Sequence, residues 1–503
     1  MKFSIIIFAV IVLTIGCQQD PVNRIAVDIY LPDGVDQSLK PFYHGVASGD
    51  PTQESVIIWT KATPDYHKGV NVVWAVSDKP DMSNTLYDGQ VMTDSISNYT
   101  VKVDVTDMDA NKTYYYQFSQ GGVKSPIGRT KTLPSSAVDQ IKIAAISCSN
   151  YEWGYFNAYE HLADEDLDVV LHLGDYIYEY GPGSYGDTTI GRIHYPPKEI
   201  LSLSDYRNRY AQYRLDPDLQ KAHQKHPFIT IWDDHEITNN AYTEGAQNHQ
   251  KNEGDYRSRR EIARQVYYEW MPIRDNDEGL HYRAFDLGSL ASLIMLDERL
   301  EGRTEPAASY DEISDDQKML GTKQLQWFKN KLATTNNQWK IVGNQVIFAD
   351  MDLSNVWGSK VNLDAWDGYP SEKEEIIDYL RERDIQNTLF LTGDTHCSWA
   401  FDIRDDGGEP VAVEIGATSL SSANIDSYTT VDSAKMSEQR ILEDNPHLRY
   451  TNIRDHGYVI ITLTEQSGQA DYYYIDNLRS DQANKRLEKT IEFSNNKIHQ
   501  VSE

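Results

Sequence analysis

Four apolar runs in this 503-residue chain break off in the same way, and that repetition limits the folds open to it. Run 141–146 is followed by Ser147-Cys148-Ser149-Asn150, and run 169–173 by Gly174-Asp175-Tyr176-Ile177-Tyr178. Run 228–232 leads into Asp233-Asp234-His235-Glu236, and run 388–391 into Thr392-Gly393-Asp394-Thr395-His396. Short apolar runs between helical stretches are strands of an α/β sheet. In such sheets ligands bind outside the carboxyl ends of the strands. One polar strand end is usually a turn or a helix cap. Four ends that bring a thiol, carboxylates, imidazoles and a phenol to one edge make a ligand shell.

The texture of the chain changes at Pro134. Within 41–134 the apolar runs are short, as at 56–59 and 72–76, and Val101, Val103 and Val105 alternate with polar residues, as do Tyr114, Tyr116 and Phe118. Turn signals such as Gly49-Asp50-Pro51 and Asp88-Gly89 separate them. This spacing predicts a small all-β sandwich, immunoglobulin- or fibronectin-like, with no catalytic constellation of its own. Over 138–480 strands alternate with helical stretches at 255–270, 321–332 and 372–383, which predicts an α/β catalytic domain. Residues 481–503 are polar and charged and read as a tail, either a peripheral helix or a frayed end.

Residues 1–16 carry Lys2 and then the apolar stretch 5–15, too short to span a bilayer comfortably, so they read as a secretory signal. Leu13-Thr14-Ile15-Gly16-Cys17 looks like a bacterial lipobox, with Thr14 where leucine is usual; the alternative is ordinary cleavage beside a stray cysteine. A lipidated Cys17 and a polar tether over 17–40 would hold the protein outside the cytoplasm on a bacterial membrane, on the periplasmic face or the cell surface. Cys148 and Cys397 remain, and they either form one bridge or leave at least one with a chemical role. Cys148 stands at a strand end, as a ligand would, whereas Cys397 is expected in the core. A formal net charge of -30 excludes a basic grip on nucleic acid. An anionic substrate would need positive charge supplied at the site itself, and bound cations do that. A monomer is expected.

The donor types point to polynuclear metal catalysis. A phosphoester resists hydrolysis because an anionic nucleophile must approach an anion, and two neighbouring cations relieve that repulsion, generate hydroxide and stabilise the leaving oxygen. Asp175 is the candidate bridge. Tyr178 as phenolate and Cys148 as thiolate favour a ferric ion over magnesium. Asp234, Asp394 and the asparagines Asn239 and Asn240 are hard oxygen donors suited to calcium or magnesium.

In order and spacing, Gly174-Asp175-x-x-Tyr178, Asp233-Asp234-His235-Glu236 and Gly393-Asp394-Thr395-His396 resemble the calcineurin-like metallophosphoesterase superfamily, and Gly-Asp-x-x-Tyr is shared with purple acid phosphatases. Ser147-Cys148-Ser149-Asn150 and the run from Leu173 to Tyr180 narrow the resemblance to the alkaline phosphatase D, or PhoD-like, family. His44-Gly45-Val46-Ala47-Ser48-Gly49-Asp50-Pro51 and Trp366-Asp367-Gly368-Tyr369-Pro370 are similar to further motifs of that family, over about 41–465.

The resemblance implies a four-layer αββα sandwich and a secreted phosphomonoesterase or phosphodiesterase that uses metal-bound hydroxide on a small phosphoester. It implies iron at Cys148, Asp175, Tyr178 and His396, and calcium at Asp175, Asp234, Asp394 and Asn239 or Asn240. His235 matches the histidine that contacts the phosphoryl group or protonates the leaving alcohol. Leu296-Asp297-Glu298-Arg299 is similar to a Leu-Asp-Thr-Arg segment, which brings Arg299 near the site while Glu298 departs from the pattern. Two other readings stand beside this one: a phospholipase D-like phosphodiesterase acting on lipid head groups, and a non-catalytic surface binding protein of the same fold. A serine hydrolase is excluded, since no Gly-x-Ser-x-Gly elbow occurs. The loops 181–186 and 192–197 are suited to lining the entrance, and Tyr472-Tyr473-Tyr474 to sheet packing.

Overall fold

The structure is a computed structural model and describes residues 30–32, 35–275 and 279–502. The proposed signal segment and Cys17 lie outside the described residues.

Period-two burial builds the centre of the molecule. In strand Ile141–Ile146, Ile141, Ile143 and Ala145 face one hydrophobic cluster while Ala144 and Ile146 face another. That strand lies inside a ten-stranded sheet. Val169–His172, Pro227–Thr230 and Val46–Gly49 follow it in parallel register on one side. On the other side come His456–Leu463, Gly468–Ile475, Lys485–Ser494 and Lys497–Ser502, all antiparallel. A second, seven-stranded sheet has Ala291–Met295, Trp339–Gly343, Thr388–Thr392 and Pro410–Gly416 in parallel at its heart. The cluster between the sheets joins Ile143, Leu171 and Val459 of the first to Leu293, Ile341 and Leu389 of the second.

Helices cover the outer faces. Asn157–Ala163, Leu203–Arg214, Pro217–Lys225 and Tyr256–Trp270 pack on the first sheet through Tyr159, Tyr210, Leu219 and Val266. Gly321–Thr334, Pro370–Glu382 and Val431–Asp444 pack on the second through Phe328, Ile376 and Ile441. Asp255 caps the helix expected from 255, and Pro370 occupies the first turn of the one expected from 372, so it starts earlier.

One expectation is qualified and one corrected. Residues 41–134 do enclose a core of their own, which joins Val46, Ile58 and Val101 to Val72, Tyr116 and Phe118, but one of its two sheets is not separate from the rest of the molecule. Thr85–Thr93, Val70–Ser77 and Thr113–Gln120 form a sheet of their own, but Val46–Gly49, Val56–Lys61 and Thr100–Val105 belong to the ten-stranded catalytic sheet. The Tyr114 hydroxyl accepts the Asp109 N–H at 2.9 Å, which ties the start of its strand to the turn before it. The correction concerns 481–503, where Lys485–Ser494 and Lys497–Ser502 are strands rather than a tail. Ile491, Phe493 and Ile498 are buried in the inter-sheet cluster, and three apolar residues spaced among charges were too sparse a pattern to read.

Candidate active site

All four polar strand ends meet at one edge of the two sheets. Their backbones leave the strands abruptly: Cys148, Asp175, Asp394 and His396 have φ of 60°, 57°, 62° and 64°. Non-glycine residues adopt this region rarely, and such conformations persist where the surrounding structure over-determines them. Here it does. Cys148 N–H donates to the Gly174 carbonyl at 3.1 Å and Ser149 N–H to the Asp175 carbonyl at 2.8 Å, so two strand ends fix each other. Gly174, at φ 109°, is obligatory, because a Cβ there would lie 2.3 Å from the Cβ of Asp233. Glu236 completes the clamp, its carboxylate accepting the N–H groups of Asp175, Tyr176 and Asp233 at 3.0, 2.7 and 2.9 Å.

Within this frame the donors fall into three overlapping groups. One atom each from Cys148, Asp175 and His396 lie within 4.8 Å of one another, as do those from Asp175, Asp234 and His235, and from Asp233, Asp234 and Asp394. Asp175 links the first two groups, as a bridge should. Tyr178 Oη donates to Asp175 Oδ2 at 2.9 Å, stands 3.1 Å from His396 Nε2, and receives the Ser422 hydroxyl at 2.6 Å. His396 Nδ1 is held by the Ala423 carbonyl at 2.8 Å, which leaves Nε2 for the site.

The electrostatics call for cations. Asp175 Oδ1, Asp233 Oδ2 and Asp234 Oδ1 are buried without a hydrogen-bond partner, which is costly unless something else satisfies them. Burial, reinforced by neighbouring carboxylates, lifts Asp175 and Asp394 well above the usual carboxylate range. Burial and then Asp175 lift the Cys148 thiol and the Tyr178 phenol. Burial lowers His396 to about 4, so its imidazole is neutral and able to ligate. A cation set among these groups would reverse the logic, deprotonating thiol and phenol and relieving the carboxylates. The residues present therefore fit bound metal.

The remaining expected residues are placed as follows. His235 Nδ1 is 2.6 Å from Glu179 Oε2; burial opposes its protonation, but Asp234, Glu179 and Asp175 outweigh that and raise it well above its ordinary value. Arg299 is fully buried and does not reach outward. Its guanidinium pairs with Asp233, with Asp364 at 2.7 Å, with Asp394 at 3.0 Å and with Asp234 at 3.7 Å, so it braces carboxylates. Asn240 reaches Asp234 through its backbone N–H, at 2.5 Å. The Asn239 amide donates to Gln247 Oε1 at 2.9 Å, and its backbone N–H donates to Glu179 Oε1 at 2.8 Å. Cys397 is buried in the core of the second sheet, and both it and Cys148 are free thiols. Loop 181–186 does border the site, through Tyr185, whose hydroxyl is 3.3 Å from His396 Nδ1. Loop 192–197 instead packs inward: Arg192 pairs with Asp216 at 2.9 Å, and the Tyr195 carbonyl accepts Arg209 Nε at 3.0 Å.

Sequence reasoning passed over Asp233, Glu179, Ser422 and Asp364. Asp233 and Glu179 stand inside the quoted motifs, and their flanking ligands were the available signal. Ser422 and Asp364 arrive from distant loops with no local pattern.

Such an arrangement suits hydrolysis of a phosphoester, and comparison with known proteins agrees. Residues 143–472 match the model of the PhoD-like phosphatase and residues 31–134 that of its N-terminal domain, and the chain belongs to the PhoD-like phosphatase family. It is 36% identical over 458 residues to the alkaline phosphatase D of Bacillus subtilis (strain 168), covering 86% of this chain and 78% of that protein. A solved structure described as "Structure of PhoD" superposes with a TM-score of 0.83 at 34% identity, covering 91% of each chain. The protein is a phosphoesterase of mixed α/β fold with an all-β N-terminal region.

Proposed function

We propose that this phosphoesterase is a metal-dependent, extracytoplasmic phosphomonoesterase or phosphodiesterase acting on a small phosphoester, anchored through lipid on Cys17. The observation that carries the metal reading is the three donor groups joined through Asp175 and Asp234, with buried carboxylate oxygens left unpartnered. Donor chemistry supports iron at Cys148, Asp175, Tyr178 and His396, and calcium at Asp175, Asp234 and Asp394 with Asn239 or Asn240. The helices outside both sheets support a four-layer αββα description of the catalytic part.

When bound, the cations would neutralise phosphoryl charge and make water nucleophilic at neutral pH. The chain supplies the rest. His235, oriented by Glu179, is placed to give a proton to the departing alcohol. Arg299 keeps Asp233, Asp234 and Asp394 from moving apart. Glu236 holds two strand ends in register with each other.

Elemental analysis of the protein as isolated, beside a panel of phosphomonoesters, phosphodiesters and phospholipids, tests this reading. Iron with calcium, and activity lost on chelation, are expected; full activity with zinc alone would sink the metal assignment. Turnover confined to phospholipids would replace it with the lipid head-group reading. Mass spectrometry of the native N-terminus should find diacylated Cys17, and an unmodified cleaved terminus would remove the anchor. No helix among the described residues is long and apolar enough to cross a membrane.

A further inference from the structure

Loop 181–187 sets an aromatic side chain between the two histidines of the site, with the Tyr185 ring centroid 6.5 Å from that of His235 and its hydroxyl 3.3 Å from His396 Nδ1. Tyr185 borders the donors, its ring centroid 5.8 Å from that of Tyr178 and 6.4 Å from that of His396. The loop is pinned on both sides of this residue. Glu152 Oε2 accepts the Gly183 N–H at 2.8 Å, the Glu152 carbonyl accepts the Asp187 N–H at 3.0 Å, and the Tyr185 carbonyl accepts Asn150 Nδ2 at 3.1 Å. Tyr185 is thus held before any substrate arrives, which limits the ordering cost of binding.

From Tyr185 the aromatic surface runs in both directions. Tyr180 closes the inner end, 5.7 Å from Tyr185 and 5.4 Å from His235. Trp153 stands edge-on to Tyr185 at 5.9 Å, and Tyr428 edge-on to Trp153 at 6.5 Å. None of these four rings belongs to the hydrophobic clusters that hold the fold together. Tyr428, at the outer end, is 66% exposed. Beyond Trp153 opens a cavity of about 520 Å³ whose polar lining includes Asp187, Asp426 and His456. Aromatic rings outside the core, lined up from the catalytic histidine to a polar recess, are a surface on which a ring can stack while its hydroxyls face polar groups.

We propose that Tyr180, Tyr185, Trp153 and Tyr428 form a leaving-group subsite that favours phosphoesters of ring-bearing alcohols over those of open-chain polyols. This rests on the phosphoester reading above. Stacking is tolerant of the ring's identity because every flat ring presents a π-face, whereas glycerol presents none. A contact kept equally in ground state and transition state shows in KM and leaves kcat unmoved.

The test measures kcat/KM of the metal-loaded enzyme on phenyl phosphate, a nucleoside 5′-monophosphate and glycerol 3-phosphate. Wild type is compared with Trp153→Leu and Tyr428→Ala, and with Trp357→Leu as a partly exposed aromatic elsewhere. The ring-to-glycerol ratio should fall at least about fivefold in both wall variants, chiefly through KM. It should stay at the wild-type value in Trp357→Leu. A fall confined to phenyl phosphate assigns an aryl subsite, and one confined to the nucleotide assigns a nucleoside subsite. Should Trp153→Leu fail to fold, Tyr428→Ala, truncated at the surface, still decides. A ratio unmoved in Tyr428→Ala, or equal losses on all three esters, overturns the subsite and leaves the phosphoesterase standing. Wild type inactive on every ester would overturn both.

Discussion

The two halves of the donor cluster meet the cost of burial in different ways. On the Cys148 side the donors are kept neutral: thiol and phenol are lifted by burial, with Ser147 Oγ 3.2 Å from the sulfur and Asp175 accepting from Tyr178. On the Asp234 side a guanidinium is set among the carboxylates, and charge is retained at Asp234 although burial still lifts Asp394. Burial would raise Asp234, yet Arg299 and His235 hold it at about 2, while burial lifts Asp233 to about 6 in spite of Arg299. Both halves would therefore release protons on accepting a cation, the first from thiol and phenol and the second from Asp394, and only the second contains a guanidinium among its donors.

The sharpest way to break this comparison is selective metal removal. A calcium chelator should strip the carboxylate half and abolish turnover while the visible ferric-phenolate band persists. If colour and activity decline together at the same chelator concentration, the halves are not distinct.

Next in size is Arg299→Met. It leaves Asp233, Asp234 and Asp394 without their buried guanidinium, while Asp364 keeps Arg303 at 2.6 Å, a change of about 3–5 kcal/mol in unfolding free energy. Added calcium should restore part of that loss in thermal denaturation, because the cation would replace the missing charge. No recovery with calcium would mean that the carboxylates do not bind it.

Glu179→Gln acts on neither half directly. Losing the carboxylate that orients His235 should lower kcat by about 10–100-fold with the iron colour unchanged. A loss carried by poorly reactive leaving groups, and spared for nitrophenolate, would show that His235 serves as the proton donor. Equal losses for both would reject that role.

The smallest change, Tyr178→Phe, keeps the ring and removes only the oxygen. The visible band should vanish or shift strongly and activity should fall at least about tenfold, or about 1.4 kcal/mol of barrier. Tyr176→Phe is the control, because its hydroxyl faces His223 at 3.0 Å rather than the donors, and it should change both far less. Retained colour and rate in Tyr178→Phe would remove that residue from the ligand set.

What could be read in advance follows from range. Cys148, Asp175, Asp234 and Asp394 end apolar strands, and a local pattern of that kind survives in one dimension. Glu298 explains itself only in three: its carboxylate accepts the Gln345 and Val346 N–H groups at 2.8 and 3.0 Å and Trp366 Nε1 at 2.8 Å, joining three separate segments. Arg299 was expected near the site, but which way it would point depended on Asp364, a residue of a remote loop. The last two strands were missed because their charged outer faces outnumber Ile491, Phe493 and Ile498, and a strand at a sheet edge needs only one apolar face.

The membership of the ten-stranded sheet has a consequence for the order in which the molecule can be made. Strands Val46–Gly49 and Val56–Lys61 lie toward one margin, and Lys485–Ser494 and Lys497–Ser502 form the other, so a single sheet draws on both extremes of the described chain. During synthesis Val46–Gly49 and Val56–Lys61 can pair with each other and with Thr100–Val105, but the other edge of Val46–Gly49 must wait for Pro227–Thr230, and Gly468–Ile475 emerges with its outer hydrogen-bonding row open until Lys485–Ser494 arrives. An open row beside buried Tyr472 and Tyr474 is a place where one nascent chain can pair with another. Shortening the gene for expression just after this strand, at residue 475, would make that transient edge permanent. Such a product should be judged by its aggregation before its activity.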